Sequence, residues 1–439
     1  MFSCLTVVTR NYLEGSRAGT WIAGVAMGVL WPLPTGDWMP LRPRAIPAGG
    51  WAAKYESFHS LWEDNLMRHS TLVRPLLAAC LVTAALTSCG KKATAPQPVD
   101  HSLTAVLQRT LANNHLPAVA GAMVHADSIA ETVVLGVRKL GGTDSVRIAD
   151  HFHLGSNVKA MTADLIALEV EAGHLAWDHT LAEIFPEFAD SMRVEYRSVT
   201  LEALLQHRAG FPALTTLAEW QAIPAFPGTL AERRQAYAHW LLKQTPAVAP
   251  GQYLYSNGGY GLAGAILERT AAAAWESLVQ SRLWSPLGIA GGHGWPAAGG
   301  APQPWGHQDA GNGALVPSDP DGSYQFLDVL RACGDAYTSV GEYAEFVRLH
   351  LRGLRGQGAL LSEATFQRLH TPNGGYALGW GVTTIAGSRT SFHLGSAGTF
   401  AVAAFIQPDR DLAVVVASNA GSTRAITAVQ EAALELLKR

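Results

Sequence analysis

The sequence predicts an α/β (α+β) fold, with an antiparallel sheet formed from both ends of the chain, flanked by helices, and a mostly helical subdomain inserted between the two halves. Three observations carry this reading. Two strand-like runs, Val119 to Val124 and Thr132 to Val137, flank the turn His125 to Ser128 near the start of the globular region. From Ser156 to about His370 the apolar residues recur mostly at helical spacing. Strand-like runs then return at Tyr376 to Thr384, Arg389 to His393, Phe400 to Ile406 and Leu412 to Ser418, the last two joined by the turn Pro408-Asp409-Arg410-Asp411.

In order along the chain, Leu103, Val106, Leu107 and Leu111 fall at helical spacing within 102–113 and lead into the first hairpin. The middle block opens with a helix over 157–171 stopped by Gly173, then one over 201–207 stopped by Gly210, then an Ala-rich helix over 256–270. Ser339 and Glu342 form a capping box in front of a helix over 340–352. Between these helices, Gly288 to Gly322 is dense in Gly, Pro, Asp and Trp and reads either as a long rim loop over a site or as a solvated insertion, with Trp295 and Trp305 favouring the rim. A helix over about 422–437 closes the chain. There are no internal repeats.

At 439 residues, 48% hydrophobic and 15% charged, the chain is globular and long enough for one large domain or two smaller ones. A net charge of -3 gives no basic stripe, so no nucleic-acid partner is expected. Near Met67, the basic Arg68 and Arg74 precede an apolar run, Pro75 to Leu86, that ends in Leu86-Thr87-Ser88-Cys89. This segment resembles a bacterial lipoprotein signal peptide; at about 12 apolar residues it is shorter than the roughly 20 that span a bilayer. An amphipathic or buried helix is the alternative, and Cys80 is a weaker lipidation site than Cys89 because it leaves almost no apolar run after Arg74. The expected organisation is an upstream extension without a fold at 1–66, a signal peptide at 67–88, a linker at 89–99 and the globular domain at 100–439. Within that domain the sheet part is 100–155 and 375–439, and the helical part is 156–374. The reading implies export, with lipid on Cys89 tethering the protein to the membrane on the periplasmic face of the cell envelope. Cys333 is then the remaining thiol, expected to be buried as a small apolar residue.

Three short segments offer chemistry. Ser156 and Lys159 are three residues apart at the start of a helix, so they share a face and the amine can take the proton of a hydroxyl too weak to attack alone. Without a partner, Ser156 is equally a helix-capping serine. Tyr255 and Asn257 follow the turn Pro250-Gly251; a phenol beside an ammonium can have a lowered pKa and act as general base and acid, while Asn257 can hydrogen-bond a substrate amide. The competing reading is a packed cluster of Tyr253, Tyr255 and Tyr260. His393-Leu394-Gly395-Ser396 ends a strand, where Gly395 lets a substrate backbone approach and the Ser396 N–H can face an oxyanion.

Taken in order, Ser156-x-x-Lys159, Tyr255-x-Asn257 and His393-x-Gly395 resemble the motif set of the serine β-lactamase and penicillin-binding family, in its class C and DD-peptidase branch. The likeness runs from about Asp100 to the C-terminus and includes Phe152 to Ser156, Leu205 to Pro212, Tyr376 to Trp380 and Phe392 to Phe400. It implies a β-lactamase/transpeptidase-like fold and an acyl-enzyme on Ser156, with Lys159 and Tyr255 relaying its proton. The N–H groups of Ser156 and Ser396 would stabilise the oxyanion. The family usually carries Lys-Thr-Gly at its third motif, whose cation and hydroxyl help bind a substrate carboxylate. Here His393 is only partly charged near neutrality and Leu394 has no hydroxyl. A D-Ala-D-Ala-type carboxypeptidase or esterase therefore ranks above an efficient β-lactamase, and a non-catalytic envelope lipoprotein of the same fold is the rival class. The substrates implied are a peptidoglycan stem peptide, an ester or a β-lactam, with no cofactor.

Other patterns are weaker. Gly259 to Gly264 fits G-x-G-x-x-G but follows no apolar strand and has no acidic residue about 20 positions on, so it reads as close helix packing. His151-Phe152-His153 lacks the acid of a zinc-hydrolase motif, and no metal site is expected. The chain has no G-x-S-x-G elbow.

Overall fold

The structure of the protein, a computed structural model, describes residues 100–439. The extension 1–66, the signal-like segment 67–88, the linker 89–99 and Cys89 all lie outside the described residues.

Helix α1 (Leu103–Asn113) is capped by Ser102, whose hydroxyl accepts the Ala105 N–H at 3.3 Å. The hairpin β1 (Ala118–Val124) and β2 (Ile129–Gly136) follows, and then the short β3 (His151–His153). Helix α2 (Val158–Glu171) is buried along most of its length, Lys159, Thr162, Asp164 and Glu169 included. Helix α3 (Leu230–Leu242) packs against α4 (Asn257–Ala271), which in turn packs beside α2. Short strands β4 (Gly291–Gly292), β5 (His307–Asp309), β6 (Leu315–Pro317) and β7 (Tyr337–Ser339) precede α5 (Val340–Leu354) and α6 (Glu363–Leu369). The chain closes with β8 (Gly381–Ile385), β9 (Ser388–Ser396), β10 (Ala401–Gln407), β11 (Leu412–Ser418) and α7 (Thr423–Leu436).

The antiparallel sheet expected from both chain ends is present, with six strands in the order β2-β1-β11-β10-β9-β8. The first and last strands of the chain meet at its centre, where Val119 lies opposite Ser418 and Val124 opposite Ala413. Every residue of β1, β10 and β11 is buried, because both faces of the sheet are covered. Alternate side chains point to opposite faces. Val414, Val416, Ala403 and Phe405 pack under α1 and α7. Val415, Ala417, Val402 and Ala404 face the larger cluster that holds α2, α4 and α5.

Four sequence expectations shift. The helix placed over 201–207 ends at Leu205, because His207 itself takes a left-handed backbone with φ 59° before Gly210 is reached. The strand placed over Tyr376 to Thr384 starts only at Gly381. Tyr376 to Trp380 is instead a turn, with the Ala377 N–H donated to the Trp380 carbonyl at 2.8 Å. Gly379, at φ +81°, sits so close to α2 that a Cβ there would lie 2.7 Å from the Ala160 Cα. The mostly helical block also holds the small sheet β5-β6 and contributes β7 and β4 to a second one with β3, in the order β3-β7-β4. Finally, Trp295 is no rim residue: it is buried against the His153 ring at 4.9 Å, and its indole N–H is donated to the Tyr324 carbonyl at 2.8 Å.

Candidate active site

The nucleophile turn is built before the helix that follows it. Gly155, Ser156 and Asn157 form one 3₁₀ turn leading into α2, which leaves Ser156 half-buried and puts Lys159 one turn further in with no exposed surface. Asn157, not singled out in the sequence, anchors the turn. Its amide donates to the carbonyls of Leu154 (3.1 Å) and Val402 (3.3 Å) and accepts from the Tyr343 hydroxyl (2.8 Å).

The Lys159 Nζ lies 3.1 Å from Ser156 Oγ, 2.8 Å from Asn257 Oδ1 and 2.7 Å from the Cys333 carbonyl. A hydroxyl, an amide oxygen and a carbonyl accept its three protons, and none carries a full negative charge. Burial consequently dominates and pushes the amine down to about 8. The Cys333 thiol is buried beside it and is pushed up to about 11, again by burial first.

Tyr255 is buried with its hydroxyl in a hydrogen bond with Ser156, and Lys159 Nζ stands 4.8 Å from its ring centroid. From the sequence, the ammonium is expected to lower the phenol. It is instead raised well above its ordinary value, because desolvation outweighs the hydrogen bond from Ser156. The tyrosine cluster exists as well. The His207 ring packs against Tyr255 (4.3 Å), Tyr376 (4.6 Å) and Tyr260 (5.1 Å), and its Nδ1 accepts the Ser256 N–H at 3.1 Å. Packing and proximity to Ser156 thus coexist in Tyr255. No local signal marks His207 as a support, because its partners are up to 169 residues away and only its place beside Gly210 distinguishes the segment.

Asn257 is the first residue of α4, whose N-cap hydroxyl, Ser256 Oγ, accepts the Gly259 N–H at 3.0 Å. Its amide is already engaged, with Oδ1 toward Lys159 and Nδ2 donating to the Leu214 carbonyl at 2.9 Å. Gly395 brings β9 flush against the nucleophile turn: a Cβ on it would lie 2.1 Å from the Leu154 carbonyl and 2.4 Å from Asn157 Nδ2. A Cβ on Gly155 would lie 2.4 Å from the Ser396 backbone nitrogen. The Ser156 turn and the Ser396 amide are therefore in backbone contact. His393 departs from expectation. It is buried, with Nδ1 donating to the Leu394 carbonyl (2.9 Å) and Nε2 accepting from the Tyr376 hydroxyl (3.2 Å). Burial, aided by the nearby Lys159 charge, pushes it down to about 3, so it is neutral rather than partly charged.

A six-stranded sheet joining both chain ends, helices inserted between its halves, and a hydroxyl, an amine and a phenol gathered at the start of a buried helix define the class. The sequence model of the family described as Beta-lactamase matches residues 103–437. The chain belongs to this family of serine hydrolases, in its class C-related branch. It is 25% identical over 262 residues to the Unguisins hydrolase ungD of Aspergillus violaceofuscus, covering 57% of this chain and 45% of that protein. It is 29% identical over 150 residues to a putative D-alanyl-D-alanine carboxypeptidase of Escherichia coli, covering 31% of this chain and 32% of that one. The chain thus spans about half the length, or less, of these curated relatives. Among solved structures, the octameric penicillin-binding protein homologue from Pyrococcus abyssi shares the fold, with a TM-score of 0.62 at 21% identity over 76% of each chain.

Proposed function

We propose that the protein is a serine acyl hydrolase that works through an acyl-Ser156 intermediate on esters or amides. The observation that carries the reading is the fully buried Lys159 amine, 3.1 Å from Ser156 Oγ and pushed down to about 8, where a substantial fraction is the free base. As Ser156 Oγ bonds to the substrate carbonyl carbon, Lys159 takes its proton and the carbonyl electrons move onto oxygen. The N–H groups of Ser156 and Ser396 stabilise that oxyanion. Tyr255, held protonated by its raised pKa, passes a proton to the leaving group as its bond to carbon breaks, and is reprotonated from Lys159. Water then attacks the ester, releases the acid and restores the Ser156 hydroxyl.

Neutral His393, with both ring nitrogens engaged, favours substrates that present no carboxylate at that position, such as esters and uncharged amides. A D-Ala-D-Ala-type carboxypeptidase is the second reading, supported by the E. coli relative. Efficient β-lactam turnover ranks below both. Export and lipid attachment at Cys89 form a separate proposal resting on the signal-like segment alone, and the intact mass of the mature protein tests it.

A fluorescent phosphonate that reacts with active serines tests the central reading: the wild type becomes labelled and Ser156→Ala does not. Label retained by the alanine variant would refute it. Turnover of a p-nitrophenyl ester, a D-Ala-D-Ala peptide and a chromogenic cephalosporin then ranks the substrates, and a dominant cephalosporin rate would reverse that ranking.

A further inference from the structure

We propose that His153 and Asp335 are positioning residues that hold the nucleophile turn through the backbone amide of Gly155. The inference rests on Ser156 being the nucleophile. His153, the last residue of β3, has no exposed surface. Its Nδ1 lies 3.2 Å from the Gly155 nitrogen and accepts that N–H. An acceptor nitrogen carries no proton, so the ring proton sits on Nε2, which is donated to Asp335 Oδ1 at 3.2 Å. The tautomer is thereby fixed at both ends.

Asp335 is itself held. Its Oδ1 accepts the Gly294 N–H at 2.7 Å, and Arg331 Nε lies 3.0 Å from Oδ2. Burial pushes its carboxyl up, but the hydrogen bond from His153, the Gly294 amide and Arg331 outweigh it and keep the group below its ordinary range. The rings of Trp295 (4.9 Å), Phe326 (6.1 Å) and Phe400 (6.4 Å) surround the His153 imidazole. They restrict its rotation and exclude competing water.

What this chain of contacts fixes is a single peptide. Gly155 has φ +53° and touches the Ser396 nitrogen, so rotating its amide would shift Ser156 and the gap to β9 together. Serine and aspartate flank a histidine here, as in a triad, yet the imidazole reaches the amide before the serine rather than its hydroxyl. The pair therefore sets where Ser156 sits and leaves its proton to Lys159.

Two substitutions separate the halves of the imidazole. His153→Asn keeps an acceptor near the Gly155 N–H but cannot reach Asp335, whereas His153→Gln reaches toward Asp335 without an acceptor at the Nδ1 position. The readout is the saturating rate of phosphonate labelling and its half-saturating concentration, with the melting temperature alongside. His153→Gln is expected to label about ten- to hundredfold more slowly at unchanged half-saturation, the scale of a misplaced reacting group. His153→Asn is expected to stay within about threefold of wild type, in keeping with a retained backbone hydrogen bond. Equal losses in the two variants, or a wild-type rate in His153→Gln, would overturn the proposal. Should either variant not fold, Asp335→Asn, which keeps an acceptor for Nε2–H, must label within about threefold of wild type, as a retained hydrogen bond requires; a larger loss likewise overturns it. Labelling that persists in Ser156→Ala would instead point to failure of the nucleophile assignment itself.

Discussion

Lys159 is the residue on which pH acts most directly. Its folded value of about 8 lies below the ordinary 10.5, so the free base grows tenfold per pH unit up to about 8 and then levels off. The single-turnover acylation rate of the wild type is expected to follow that curve; a flat profile between pH 6 and 8 would remove Lys159 from the role of base. Stability carries the same signature with a defined sign. Between about 8 and 10.5 the unfolded chain binds a proton at this lysine that the native state has released, so stability rises with pH through that window. Much of this was legible in the sequence: the three-residue spacing of Ser156 and Lys159 already placed the two groups on one helical face. What it could not give was the state of charge. Tyr255 is raised rather than lowered, and His393 is neutral, because both depend on desolvation by residues far away in the chain.

Among the elements, β9 shapes the site most, since it lies against the Ser156 turn without an intervening side chain. Gly395→Ala is expected to reduce phosphonate labelling by roughly a hundredfold or more, because a Cβ would overlap the Leu154 carbonyl and Asn157 Nδ2 and push the turn away from Ser396. Labelling rate and far-UV circular dichroism measured together check this; normal labelling would show that the contact is slack. Elements with strong local signals are readable from sequence. Ser339 and Glu342 form their capping box in front of α5, and β11 runs over Leu412–Ser418 as expected. The two- and three-residue strands β3 to β7 are not readable, because so few residues cannot display an alternating pattern. The Tyr376 to Trp380 turn escapes sequence reading for a different reason: its apolar residues mimic a strand, and only the close approach of Gly379 to Ala160 on α2 bends the chain there.

At the scale of the whole molecule, one sheet is shared by two apolar clusters, and pairing of β1 with β11 ties residues 118–124 to 412–418. Unfolding of the domain is therefore expected to be cooperative. Leu103 packs without exposure in the outer cluster, while Trp275, Trp284 and Trp380 lie in the inner region. Leu103→Ala is expected to cost about 2–5 kcal/mol and to move tryptophan fluorescence and far-UV circular dichroism transitions together in a denaturant titration. Separate midpoints would mean that the two layers melt independently. The sequence by itself determined the fold class, the order of its elements and the residue types available for chemistry, because periodicity, caps and spacing are local properties of the chain. Only the tertiary structure decided which nitrogen of His153 and of His393 carries a proton, how far Lys159 and Tyr255 are shifted, and which supports hold Ser156. Those quantities arise from burial and from hydrogen bonds between residues far apart in the chain, such as Lys159 with Asn257 and His153 with Asp335.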